Sequence, residues 1–459
     1  MEKQLEADDR FEKVLYIIVN LLTGISVIYY LLRIGQVFNP EDPWNLFILI
    51  IFSFKFLLDI YVFKVGFATF SLVLLFLPII SILGFGPVGE VQPLFNDRTH
   101  LIEKHFYTLA FGALFFYYIW SILLWLTNKT YRSYDAKILA FYSGTVQSLL
   151  ATWFFSAVAI VSSIIYLPDL PGKAYHEMSP SLLPGNAWNS VVVISYFFVL
   201  MGVKGSAIRK FAILFVPFWL LAHYARVDIL GLLLILYLLL TATKKADVIR
   251  SKFSFKKAAL IVGGLLVFSY LGLVRHTGLI FDVEAITESF FMLINYPTVQ
   301  DLVYSTAAAM EVTHTYGNYN TLIDYIPQLI PSFFGIEAQS PQAAHLVASL
   351  IHTNYGLFVY GEYYLNFEVI GLIVAPFATY AVLFVPAILL KKFFGNMGMA
   401  LGYYWIVLTI ARVFWYGYIY YIKPLIIIMP IFIILYLVIA SFEKDLVDKP
   451  ALKSTDPHA

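Results

Sequence analysis

Apolar runs of about 20 residues, separated by short polar breaks, fill most of the chain, and a helix of that length spans the hydrocarbon core of a bilayer. The pattern predicts twelve spans, at roughly 14–36, 44–62, 65–86, 106–127, 138–166, 189–203, 208–225, 227–243, 257–275, 368–390, 397–412 and 424–442. Gly202, Lys204 and Gly205 leave only a tight gap between the sixth and the seventh. One stretch breaks the rhythm. Residues 276–367 are interrupted by Pro297, Pro327, Pro331 and Pro341 and read as the one large soluble part. The chain thus divides into 1–275 with spans one to nine, the loop 276–367, and 368–459 with the last three spans and a polar tail.

Short helices, not strands, are predicted inside the loop. Residues 284–295 put Glu284 and Glu288 in the first turn, where the helix dipole favours acids, and Ile286, Phe290 and Leu293 on one face. Thr298 with Asp301 resembles a capping arrangement opening a helix over 299–312. Ser340 followed by Pro341 reads as an N-cap before a helix over 341–353. Such helices can lie at the interface, apolar side toward lipid or the bundle. No internal repeat or low-complexity linker marks a second domain.

Composition agrees with the periodicity. The chain is 60% hydrophobic and 13% charged, too apolar to bury its surface in a soluble fold, so the fold class is an all-α polytopic membrane protein. A net charge of +1 gives no reason to expect nucleic acid, and the lack of cysteine removes disulfides, thiolate metal sites and cysteine nucleophiles. The acidic, polar start before the first run is unlike a cleaved signal peptide. Cytoplasmic loops retain Lys and Arg. With the N-terminus inside, the basic clusters at Lys129, Arg132 and Lys137, at Lys204, Arg209 and Lys210, at 244–257, and at Lys391 and Lys392 all fall inside. Both termini are then cytoplasmic and the large loop lies outside.

That loop carries no Lys or Arg, but it has eight carboxylates and four histidines. Three arginines, Arg226, Arg275 and Arg412, end spans on the same outer side, against the topological bias. Guanidinium holds phosphate oxygens bidentately and keeps its charge, so the three are candidates for an anionic substrate that the loop covers, with Lys423 a further cation. Lipid anchoring, or salt bridges to Asp228 and the loop acids, are the alternatives. As a base to activate a sugar hydroxyl, His314 and Glu362 are the leading candidates, and Glu311 shares a helix face with His314. Tyr416 belongs to the aromatic residues 403–421, which read as an interfacial belt or as a surface on which sugar rings stack. No histidine spacing suits a metal.

The loop's end, Gly361-Glu362-Tyr363-Tyr364-Leu365-Asn366-Phe367-Glu368-Val369-Ile370-Gly371, is similar to the GE-x-Y-x-NFG-x-x-G stretch near the C-terminus of Wzy-type oligosaccharide repeat-unit polymerases, which build O-antigen and capsule. Asn318-Tyr319-Asn320 before Ile326-Pro327 and Ile330-Pro331-Ser332 resembles that family's loop, and the settings of Arg226, Arg275 and Arg412 match its arginine positions. The resemblance covers mainly residues 220–420. Glu368 stands where the family commonly has glycine, and the segment after Pro331 lacks the basic residue often seen there.

The resemblance implies a metal-independent glycosyltransferase of the GT-C-like polymerase and ligase group, without cofactor, in the bacterial cytoplasmic membrane. Undecaprenyl-pyrophosphate-linked oligosaccharide would be its substrate, the bilayer its environment and a chain-length regulator a further partner. Arg226, Arg275, Arg412, His314 and Glu362 would serve catalysis, and Lys423, Tyr416, Asn366 and Glu311 would contact substrate. A ligase transferring polymer to lipid A core shares this chemistry. A transporter of lipid-linked sugars is the rival from another class, although the inverted repeats usual in transporters are missing.

Overall fold

A computed structural model describes residues 2–39, 42–63, 66–84, 99–127, 148–166, 186–223, 226–242, 263, 270, 297–323, 342–353 and 356–448. Helices are the only regular elements among them: α1 (Glu2–Leu31), α2 (Pro43–Phe63), α3 (Phe67–Leu83), α4 (Thr99–Leu126), α5 (Leu149–Ile165), α6 (Asn186–Met201), α7 (Ala207–Ala222), α8 (Arg226–Ala242), α9 (Pro297–Tyr316), α10 (Ala343–Leu350), α11 (Val359–Tyr416) and α12 (Ile419–Asp448). Each predicted span except the ninth overlaps one of them. The ninth, the helix over 284–295, the Pro327 and Pro331 segment and the basic residues at 129–137 and 244–257 lie outside the described residues.

Five helices, α1, α2, α4, α11 and α12, are long and apolar enough to cross a membrane, and α3, α5 and parts of α6 and α8 are shorter apolar helices. Their outward faces are greasy, with Ile17, Leu21 and Ile25 of α1 and Ile431, Ile434 and Val438 of α12 exposed. A soluble protein does not carry such a continuous apolar exterior. The protein is membrane-embedded.

At 58 residues, α11 would measure about 87 Å if straight. It is instead three segments, 359–367, 369–394 and 396–416, parted at Glu368 (φ 52°, ψ −136°) and Gly395 (φ 58°, ψ −139°). Both corners are built alike, with a positive-φ residue followed three positions later by a glycine. A Cβ on Gly371 would sit 2.0 Å from the Tyr363 carbonyl oxygen, and one on Gly398 2.1 Å from that of Leu390. Residues eight apart in a straight helix stand about 12 Å from each other, so the chain folds back at each corner. The expected start of the tenth span at 368 falls on the first corner, and Glu362 and Asn366 lie on the separate short segment before it, which opens at Val359.

The loop is likewise less soluble than its polarity suggests. In α9, Leu302 to Met310 are all buried, including Ser305 and Thr306, and α9 packs against α3, α4 and α11. Its Ser-Thr-Ala-Ala-Ala run, residues 305–309, explains this, since small side chains let helix backbones approach closely. The predicted caps also shift. Pro297, not Thr298, opens α9, and α10 begins after Gln342, whose side chain makes no capping bond.

Two polar contacts tie distant segments. The Glu443 carboxylate near the end of α12 accepts from the Ser148 hydroxyl and from the amides of Leu149 (3.1 Å) and Leu150 (3.3 Å), taking up donors that a helix start leaves open. Between α1, α2 and α4, Lys55 and Asp59 form an ion pair with neither side chain exposed to solvent. Ser121 accepts from Lys55 (2.7 Å), and Asp59 accepts from Tyr117 (2.9 Å), Ser121 (3.0 Å) and Tyr16 (3.3 Å).

Candidate functional site

The end of the bundle at which α11 finishes holds Arg412, Tyr416 and Lys423. Arg412 lies one turn before that end. Its guanidinium meets Asp228 on α8 edge-on, Nε to Oδ1 at 2.7 Å and Nη2 to Oδ2 at 2.5 Å. Asn189 of α6 adds a third donor to the same carboxylate, Nδ2 to Oδ2 at 3.2 Å, and the Tyr420 ring lies 5.7 Å from the guanidinium carbon. The carboxylate thereby links three helices.

Gly231 makes this reach possible for so short a side chain. A Cβ there would lie 2.8 Å from the Leu408 Cα and from the Val407 carbonyl oxygen. Helices α8 and α11 therefore touch backbone to backbone, one turn below the ion pair on each. A small cleft of about 20 Å³ adjoins it and is lined by Asn189, Ser190, Val193, Asp228, Trp405, Leu408, Thr409, Arg412 and Tyr420. Guanidinium, amide, hydroxyl and aromatic groups line it.

Of the sequence candidates, Arg226 opens α8 two residues before Asp228, but its side chain, like all of Arg275, lies outside the described residues. Tyr416 is the last residue of α11, its ring 6.3 Å from that of Tyr420, and Lys423 follows on α12, partly buried. Arg412, Tyr416 and the Tyr420 turn are thus brought together. Arg412 has also taken the Asp228 partner that the sequence offered as its alternative.

Glu362 and Asn366 form a second group. Asn366 donates to the Thr321 hydroxyl (2.8 Å) and the Glu362 carbonyl (2.7 Å) and accepts from the Leu322 amide (3.2 Å), while Thr321 reaches Glu362 at 3.5 Å. The Tyr319 amide donates to the Leu365 carbonyl (3.0 Å), which caps the first segment of α11 with the turn that follows α9. Glu362 is only 2% exposed. These contacts pin the 317–323 turn, and Asn366 spends both ends of its amide on them. The Leu357 amide joins this group to the first by donating to the Trp415 carbonyl at 2.9 Å.

Glu311 sits in a third group. Lys104 lies 2.8 Å from its Oε2 and 3.0 Å from its Oε1, and His105 Nε2 lies 2.8 Å from Oε2. His314, expected on the same face, is exposed. Glu311 therefore anchors α9 to the start of α4, a role the sequence reading did not foresee. The signals it passed over were charges inside or beside apolar runs, namely Lys104 and the Lys55–Asp59 pair. Such charges are costly in a membrane unless paired.

Burial works against charge on Glu311, but hydrogen bonds from Lys104 and His105 outweigh it and hold the carboxyl at about 2, against an ordinary 4.5. A carboxyl lowered on folding stabilises the fold above its unfolded value and loses that contribution as pH falls through the folded one. Thermal melts between about pH 5 and about pH 2 should therefore show wild type losing its advantage over Glu311→Gln. A deficit in the variant that stays constant across the window would rule out this pairing.

No family model, curated protein or solved structure matches the chain.

Proposed function

We propose that the chain is a membrane glycosyltransferase that polymerises undecaprenyl-pyrophosphate-linked oligosaccharide repeats on the outer face of the bacterial cytoplasmic membrane. In this reading twelve spans place both termini in the cytoplasm, and the Arg412 end of the bundle faces outward. The observation that carries it is the cleft, where a guanidinium locked by a carboxylate stands beside amide, hydroxyl and aromatic groups. The motif from Gly361 to Gly371, which resembles that of the Wzy-type polymerases, gives independent support.

The reaction breaks the bond between the growing chain's anomeric carbon and a pyrophosphate oxygen. A hydroxyl of the incoming lipid-linked repeat forms the new carbon–oxygen bond, its proton passes to a base, and undecaprenyl pyrophosphate leaves. Negative charge builds on the leaving group, so a fixed cation aimed there lowers the barrier more than it tightens ground-state binding. Arg412 takes this role, with Arg226 and Arg275 as partners and Lys423 and Tyr416 at the rim. His314, exposed at the end of α9, is the base in this scheme. Glu362 and Asn366 are assigned to holding the 317–323 turn, and Glu311 to anchoring α9.

The test is a reaction of purified protein with an undecaprenyl-pyrophosphate-linked repeat unit in the presence of EDTA, resolved on a gel. A ladder of added repeats is expected, lost in Arg412→Gln while the protein still folds. Label moving only onto lipid A core would make the chain a ligase. Labelled lipid crossing liposomes without either product would make it a transporter.

A further inference from the structure

Asp228 receives three hydrogen bonds from two other helices, two from Arg412 and one from Asn189. The edge-on contact sets both the plane of the guanidinium and its rotation, as a single point contact would not. Gly231 brings the two backbones close enough for this, and the Tyr420 ring flanks the guanidinium. A long, otherwise mobile side chain is thus held in one orientation at the mouth of the cleft.

We propose that Asp228 is a positioning residue, which orders the Arg412 guanidinium in advance for the pyrophosphate of a lipid-linked saccharide. The inference rests on the reading of Arg412 given above. The sign of its effect makes it sharp. As a plain negative charge beside an anion site, Asp228 would repel the ligand, and its removal would tighten binding. As a positioning group it has the opposite effect, because an unheld arginine must give up its rotamer freedom when the ligand arrives.

The experiment measures binding of undecaprenyl pyrophosphate to the full-length protein in lipid nanodiscs, for wild type, Asp228→Asn, Arg412→Gln and the double variant. Asp228→Asn is expected to weaken binding about tenfold and Arg412→Gln at least as much, the range for losing charge-assisted hydrogen bonds. In the Arg412→Gln background, Asp228→Asn should then cost nothing further. A merely structural role would keep its cost in that background. Asn189→Ala, which removes only the amide that steadies Asp228, should weaken binding about threefold and stands in if Asp228→Asn fails to fold. Inorganic pyrophosphate is measured alongside, and weaker binding than the lipid supports a membrane-borne headgroup, while equal binding overturns that part. If wild type binds the lipid but Asp228→Asn binds it more tightly, positioning is refuted and the reading of Arg412 stands. If wild type binds neither probe, that reading fails and takes the inference with it.

Discussion

Substituting Gly371 by alanine is expected to leave little folded protein in the membrane. The added methyl would lie 2.0 Å from the Tyr363 carbonyl oxygen and 2.5 Å from its carbon, atoms of the backbone that no rotamer change can move aside. Relief requires the first two segments of α11 to part, which disturbs Tyr360 and Leu372, both packed on Gly112 of α4. The cost should reach about 3 kcal/mol or more, at the upper end for overpacking. Gly398→Ala should act similarly at the second corner, where the Leu390 carbonyl oxygen stands 2.1 Å away. Glu368 supplies the opposite case. A side chain at φ 52°, ψ −136° is strained where glycine is not, so Glu368→Gly should stabilise by about 1 kcal/mol. Melting curves and monodispersity in detergent check both, and a Gly371→Ala protein that melts like wild type would show that the corner is not so tight.

Removing Asp59 alone should be nearly as damaging. Lys55 is fully buried and draws on the carboxylate and Ser121, so Asp59→Ala leaves a charge without its counter-ion amid apolar helices. Breaking a buried pair from one side costs about 3–5 kcal/mol. Replacing both partners is another matter, because neither desolvation cost is then incurred. The double variant Lys55→Met with Asp59→Leu should recover most of the lost stability, while Tyr117 and Tyr16 lose their acceptor. Melting of both variants decides it. A double variant no more stable than Asp59→Ala would mean that the pair specifies how α1, α2 and α4 meet, beyond balancing its own charges.

Much of the architecture was legible in the chain. Apolar runs of bilayer length place the helices because a backbone in lipid must satisfy its hydrogen bonds internally, and the helix is the local way of doing so. Less legible was the part of 276–367 that joins the core. Prolines and carboxylates suggested a loop, but Ser305, Thr306 and the alanines beside them fit α9 among its neighbours, and Glu311 is neutralised by Lys104 and His105 from a segment some two hundred positions away.

The sequence by itself determined the helical membrane class and the approximate places of most described helices, since each follows from local hydropathy and composition. Only the tertiary structure decided which polar groups meet: Arg412 with Asp228, Glu311 with Lys104 and His105, Asn366 with Thr321. Each of these contacts joins two separate segments brought into register, and that register is set by close contacts such as Gly231 on Leu408, which no periodicity along a single helix records.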